Sequence, residues 1–104
     1  MKIEIVEGKK VNIDEAKKLG SYQYGNPGDF EHIFEEIYLT RKGNLVFFGE
    51  GGAKSEYGHR CGSNTWCGGS EKRFISKKEA FDLLCKWDET DTLFEYFDDM
   101  LEEA

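Results

Sequence analysis

"EEIYLTRKGNLVFFGE", residues 35–50, decides the fold, because it can be read with two different periods. Phe30, Ile33, Phe34, Ile37 and Tyr38 recur at helical spacing, yet EEIYLT is equally rich in residues that favour strands. The four residues RKGN (41–44) settle the choice. They separate two apolar runs, and Gly43 supplies the positive φ that a tight hairpin turn requires, so residues 34–40 and 44–49 are expected to pair as antiparallel strands.

Working outward toward the N-terminus, "MKIEIVEGKKVNI" (1–13) alternates at Ile3, Ile5, Val11 and Ile13 around EGKK, the pattern of a second hairpin. Asp14 then offers the N-cap of a short helix over residues 15–19, closed by Gly20. "SYQYGNPGDF" (21–30) reads as strand or loop, with a turn at Pro27.

Toward the C-terminus, glycine recurs at 49, 51, 52, 58, 62, 68 and 69, a density that points to unusual backbone angles or a bound group. "EKRFI" (71–75) is a candidate edge strand. Ser76-Lys77-Lys78-Glu79 has the capping-box pattern and opens a helix through Trp87, with Ala80, Leu83, Leu84 and Trp87 on one side. Asp91 is the expected cap of a last helix, 92–103, striped by Leu93, Phe94, Tyr96, Phe97, Met100 and Leu101. The expected fold class is therefore α+β: a small antiparallel sheet with β-hairpins, a short N-terminal helix and two C-terminal helices. A chain of 104 residues is the size that one hydrophobic core supports, so a single domain over 1–104 is expected.

The net charge of −7 is unevenly spread. Residues 79–104 hold ten carboxylates and one lysine, or −9, which leaves −7 − (−9) = +2 for the rest. On the last helix, Asp91/Glu95, Glu95/Asp99, Asp98/Glu102 and Asp99/Glu103 would be like-charge pairs one turn apart, with no lysine to relieve them. Such a face repels phosphate backbones, which argues against direct nucleic-acid binding there, and attracts Lys/Arg-rich protein surfaces. Asp88, Glu89, Asp91, Glu95, Asp98, Asp99, Glu102 and Glu103 are the candidate partner-binding residues. The plainer reading is a solvated acidic terminus that aids solubility.

"GHRCGSNTWCGG" (58–69) gathers His59, Cys61 and Cys67 within nine residues, three ligands of the two types that zinc most often takes. Cys85 is the candidate fourth ligand, with His32 as a substitute. Paired Cys-x-x-Cys knuckles are absent, and the competing reading is a tight turn in which Trp66 plugs the core and the thiols are incidental. Three cysteines are an odd number, no apolar leader precedes the first strand and no run approaches the roughly 20 apolar residues of a membrane span. A cytoplasmic setting is expected, with the cysteines as thiols or metal ligands.

Catalytic motifs are weak. His59 and Cys61 are too close in a loop to form an oriented base and nucleophile, "GEGGAKSEYG" lacks phosphate-loop spacing, and Glu35 and Glu36 point to opposite faces of a strand. A non-enzymatic role is expected, and a thiol enzyme built on His59 and Cys61 is the remaining alternative.

Residues 38–72, and especially Gly62-Ser63-Asn64-Thr65-Trp66-Cys67-Gly68-Gly69 after the RKGN hairpin and GEGG, resemble small uncharacterised acidic proteins carried by phages and mobile elements of Gram-positive bacteria. In that pattern the Cys67 position also accepts serine. By analogy with the anti-CRISPR and anti-restriction inhibitors of such elements, the resemblance implies a protein that occupies a basic groove of a host nuclease, a CRISPR Cas nuclease among them, and blocks nucleic-acid loading. The alternative is a small zinc-stabilised regulatory or accessory protein with a protein partner and no nuclease target.

Overall fold

The computed structural model describes residues 2–26 and 28–103; Pro27, the expected turn residue, lies outside them. Its elements are β1 (Ile3–Val6), β2 (Lys9–Asn12), β3 (Lys17–Tyr24), β4 (Ile33–Leu39), β5 (Leu45–Gly51), β6 (His59–Arg60), β7 (Trp66–Cys67), β8 (Gly69–Ile75), α1 (Lys77–Lys86) and α2 (Thr90–Tyr96). The fold is a small α+β arrangement built on one antiparallel sheet in the order β3-β4-β5-β8. β1-β2 and β6-β7 form separate two-stranded ribbons.

The central hairpin follows its turn chemistry. Gly43 has φ +89°, its N–H donates to the Thr40 carbonyl at 2.9 Å, and the strands leave the turn in the register Leu39↔Leu45, Ile37↔Phe47, Glu35↔Gly49. Alternation then sorts side chains between the two faces of the sheet. Ile37 and Phe47 face α1 and α2 and pack with Leu19, Ala80, Leu84, Trp87, Leu93 and Phe97. Val46 faces the other way and packs with Val6 and Val11 of the N-terminal hairpin, flanked by Phe48 and Phe74.

Several sequence expectations change. No helix forms over residues 15–19; a single 3-10 turn, Ile13–Glu15, is capped by Asn12, and β3 runs straight through Leu19 and Gly20. Five residues cannot recover the cost of helix nucleation, whereas a bulge between Lys18 and Gly20 gives Leu19 the central core position. The N-terminal hairpin exists, but its turn is Glu7-Gly8, both at positive φ, and it buries Val6 and Val11 while Ile3 and Ile5 face outward.

α1 begins as expected, with Ser76 Oγ accepting from the Glu79 N–H at 3.1 Å. It ends in a Schellman motif: the Glu89 N–H reaches the Leu84 carbonyl, the Asp88 N–H reaches that of Cys85, and Asp88 takes the left-handed conformation at φ +59°. The last helix is shorter than expected. α2 covers only Thr90–Tyr96, its N-cap is Glu89 without a side-chain bond, and Phe97 breaks the helical angles before a 3-10 turn at Asp98–Met100. Continuing the helix would bring the carboxylates of residues 98–103 into repulsive register at the negative end of its dipole, and Phe97 instead drives its ring into the core.

Candidate functional site

Of the ten carboxylates in residues 79–104, three are neutralised. Glu79 accepts from Arg73, Asp82 meets Lys78 at 3.2 Å and Asp99 meets Lys77 at 3.0 Å. The Arg73 hydrogen bond holds the Glu79 carboxyl below its usual range, and Lys77 does the same for Asp99. Asp88, Glu89, Asp91, Glu95, Asp98, Glu102 and Glu103 have no ion-pair partner among the described residues. Seven of the eight expected docking carboxylates are therefore uncompensated.

Their placement differs from a helical stripe. Asp91 and Glu95 remain one turn apart on α2, both exposed. Asp98 and Asp99 lie in the 3-10 turn and Glu102 and Glu103 in the extended tail, so the expected pairs Asp98/Glu102 and Asp99/Glu103 are not stacked on a helix. The apolar stripe is also incomplete. Tyr96 packs against the core, but Phe94 projects into solvent at 63 % exposure, between Asp91 and Glu95.

The acidity extends beyond the C-terminal quarter. Glu35, Glu56 and Glu71 join Glu79 and Asp82 around a cleft of about 400 Å³ between the sheet and α1. Glu35 is buried on β4, and the Tyr57 hydroxyl donates to its carboxylate. Burial first, and the Glu35 hydrogen bond second, push the Tyr57 phenol well above its usual range. Tyr57 reaches this position because β5 carries Gly49 beneath it: a methyl there would overlap the Tyr57 hydroxyl and come within 2.7 Å of its Cζ. The glycine density of residues 49–58 is thus partly explained by a close approach of the loop to the sheet.

The metal candidates separate. Against the expectation of thiols or metal ligands, Cys61 and Cys67 are joined in a disulfide that closes the β6-β7 ribbon, and His59 stands across from Cys67 in that ribbon. Cys85 is a free, exposed thiol on α1, and His32 Nδ1 lies 2.7 Å from the Asp29 carbonyl. Among the described residues, no three His, Cys, Asp or Glu side chains are placed to hold a metal ion. Trp66 does not plug the core; it is 60 % exposed.

No family model, curated protein or solved structure matches the chain. Its chemistry must therefore be read from these surfaces. The described residues contain no helix long and apolar enough to cross a membrane. Sequence reasoning missed Phe94 as an exposed group, because its spacing fits the apolar stripe, and it missed Glu35, Glu56 and Glu71, whose convergence with α1 depends on the meander's register.

Proposed function

We propose that the protein is a non-enzymatic inhibitor whose acidic C-terminal side docks on a cationic, nucleic-acid-holding surface of another protein, a host defence nuclease of the CRISPR Cas kind, and obstructs nucleic-acid loading. The observation that carries this reading is the set of seven carboxylates without ion partners in residues 88–103, with the exposed ring of Phe94 on the same helix as Asp91 and Glu95. Uncompensated like charge destabilises the free chain and is relieved by a cationic partner, which also gives fast, steered association. A solvent-exposed aromatic ring amid the charges supplies the apolar anchor that charge alone lacks.

The test uses a purified Cas effector nuclease, free of nucleic acid, as the probe. Its affinity for the intact chain is expected to fall as salt rises, to compete with guide or target nucleic acid, and to drop by about tenfold or more when Phe94→Ala is combined with charge reversal at Asp91, Glu95 and Asp98. An affinity flat with salt, or unchanged in that variant, overturns the reading.

A further inference from the structure

On the sheet face away from the helices, the N-terminal hairpin leaves a cleft of about 760 Å³ against the β4–β5 turn. One wall is β2, where Lys9 shares the inward face of Val6 and Val11 while Lys10, opposite Ile5, sits on the outer side of the ribbon and edges the cleft; the other carries Arg41 and Lys42 of the turn, and Phe74 of β8 also lines it. The two pairs are 31 positions apart in sequence and are brought together by the packing of Val6 and Val11 on Val46, with Glu4 and Glu7 accepting from Lys72 and from the Phe74 N–H of β8.

Three of these four cations have no carboxylate partner among the described residues, a state they share with Lys17, Lys54, Arg60 and Lys86; what sets them apart is that one cleft gathers them. Asp and Glu outnumber Lys and Arg 21 to 14, so carboxylates are in excess, and Lys18, Lys72, Arg73, Lys77 and Lys78 all have one. Among the described residues Lys9, Lys10 and Lys42 have none; Lys9 Nζ instead lies 5.6 Å from the centroid of the Phe74 ring. The cleft's single carboxylate, Glu15, meets Arg41 at 3.3 Å, which offsets one of the four positive charges and leaves Lys9, Lys10 and Lys42 uncompensated. Four cations in and at the edge of one cleft against one carboxylate leave a net charge of 4 − 1 = +3, which favours closely spaced phosphates over a single monovalent anion.

We propose that this cleft binds closely spaced phosphate groups, as carried by a single strand of nucleic acid. Arg41 offers the fork that fits a phosphate in two bonds, the three lysines supply point charges along it, and Thr40, Asn12 and Asn44 line the same walls as neutral polar groups. The inference stands apart from the acidic docking side, and charge reversal on α2 leaves it untouched.

The experiment measures binding of a labelled oligothymidylate by fluorescence anisotropy at low salt, with inorganic tripolyphosphate as competitor. Expected is saturable binding that weakens about a hundredfold over a tenfold rise in salt, the slope for roughly three phosphates. Lys10→Gln with Lys42→Gln is expected to weaken it at least tenfold and flatten the salt dependence, with an unchanged melting temperature. Competition by tripolyphosphate at equal strength assigns a free polyphosphate as the ligand's source; weaker competition assigns the strand. Lys54→Gln with Lys86→Gln, equal in charge but outside the cleft, must leave binding intact. No binding of either probe at low salt, or an equal loss in the control variant, overturns the proposal.

Discussion

Tyr57→Phe deletes one oxygen and leaves the buried Glu35 carboxylate without its donor. Orphaning a buried acceptor costs about 1–3 kcal/mol, with charged groups toward the upper end. At about 2 kcal/mol, a chain of this size should lose roughly 8–16 °C in melting temperature. The alkaline limb adds an independent readout. The folded phenol is held above its usual value of 10.0, so from about pH 10 the unfolded chain releases a proton that the folded chain keeps. Stability is then fully present below pH 10 and falls as pH rises, by up to about 1.4 kcal/mol per pH unit. Denaturant unfolding of wild type and Tyr57→Phe across that range should show a large difference at neutral pH that shrinks in alkali, and Glu35→Gln in the variant background should recover part of the loss. A neutral-pH difference below about 0.5 kcal/mol, the scale of an inert surface change, with an alkaline slope common to both proteins, refutes the reasoning.

Three further outcomes follow from local chemistry. Asp88→Gly should stabilise the protein by about 0.5–1 kcal/mol in denaturant melts, because glycine takes the left-handed C′ position without steric cost; Asp88→Asn, which removes the same charge, should gain less. The Glu79 carboxyl should titrate below its ordinary 4.5 by carbon-detected NMR and return toward it in Arg73→Ala, so the contribution of this pair is present above that pH and is lost on acidification. Alkylation without reductant should modify Cys85 alone and, after reduction, all three cysteines, seen as one and three adducts by mass spectrometry.

The parts of the fold legible in the sequence are those fixed by local chemistry: the RKGN turn, the Ser76 cap and the strands of residues 34–49 each depend on a few neighbouring residues. What was not legible depends on partners distant in sequence. Leu19 looked like the end of a short helix because its value lies in a bulge that points it at Leu84 and Trp87. Alternation at Ile3 and Ile5 suggested an inward face, but the hairpin packs through Val6 and Val11, which share a face only once the two-residue turn sets the register. Phe94 fitted the apolar period of a twelve-residue helix that ends at Tyr96, and an early end changes which ring the core receives. The carboxylates were legible as a total and as a location; their pairing was not, since Lys77 meets Asp99 across 22 positions. The Lys9-Lys10 and Arg41-Lys42 doublets were visible as letters, yet nothing in a linear reading brings them to one cleft.

The two proposed surfaces are expected to act separately, and the reason is geometric. The sheet stands between them, with the helices on the Phe47 face and the N-terminal hairpin on the Val46 face. The molecule extends 49 × 36 × 20 Å, so a path through solvent around the sheet from one face to the other is longer than the roughly 8 Å Debye length at physiological ionic strength. An anion entering the cleft of Lys9, Lys10, Arg41 and Lys42 is therefore screened from most of the C-terminal repulsion, and a cationic protein approaching α2 is screened from the lysines. A net charge of −7 conceals this polarity. Neutralising Lys10 and Lys42 should leave docking at Phe94 within twofold at physiological salt, while at about tenfold lower salt, where the Debye length grows to about 25–30 Å, the same change should strengthen docking to a cationic partner. Coupling that persists undiminished at physiological salt would mean that the two faces meet through a conformational change and not through the field.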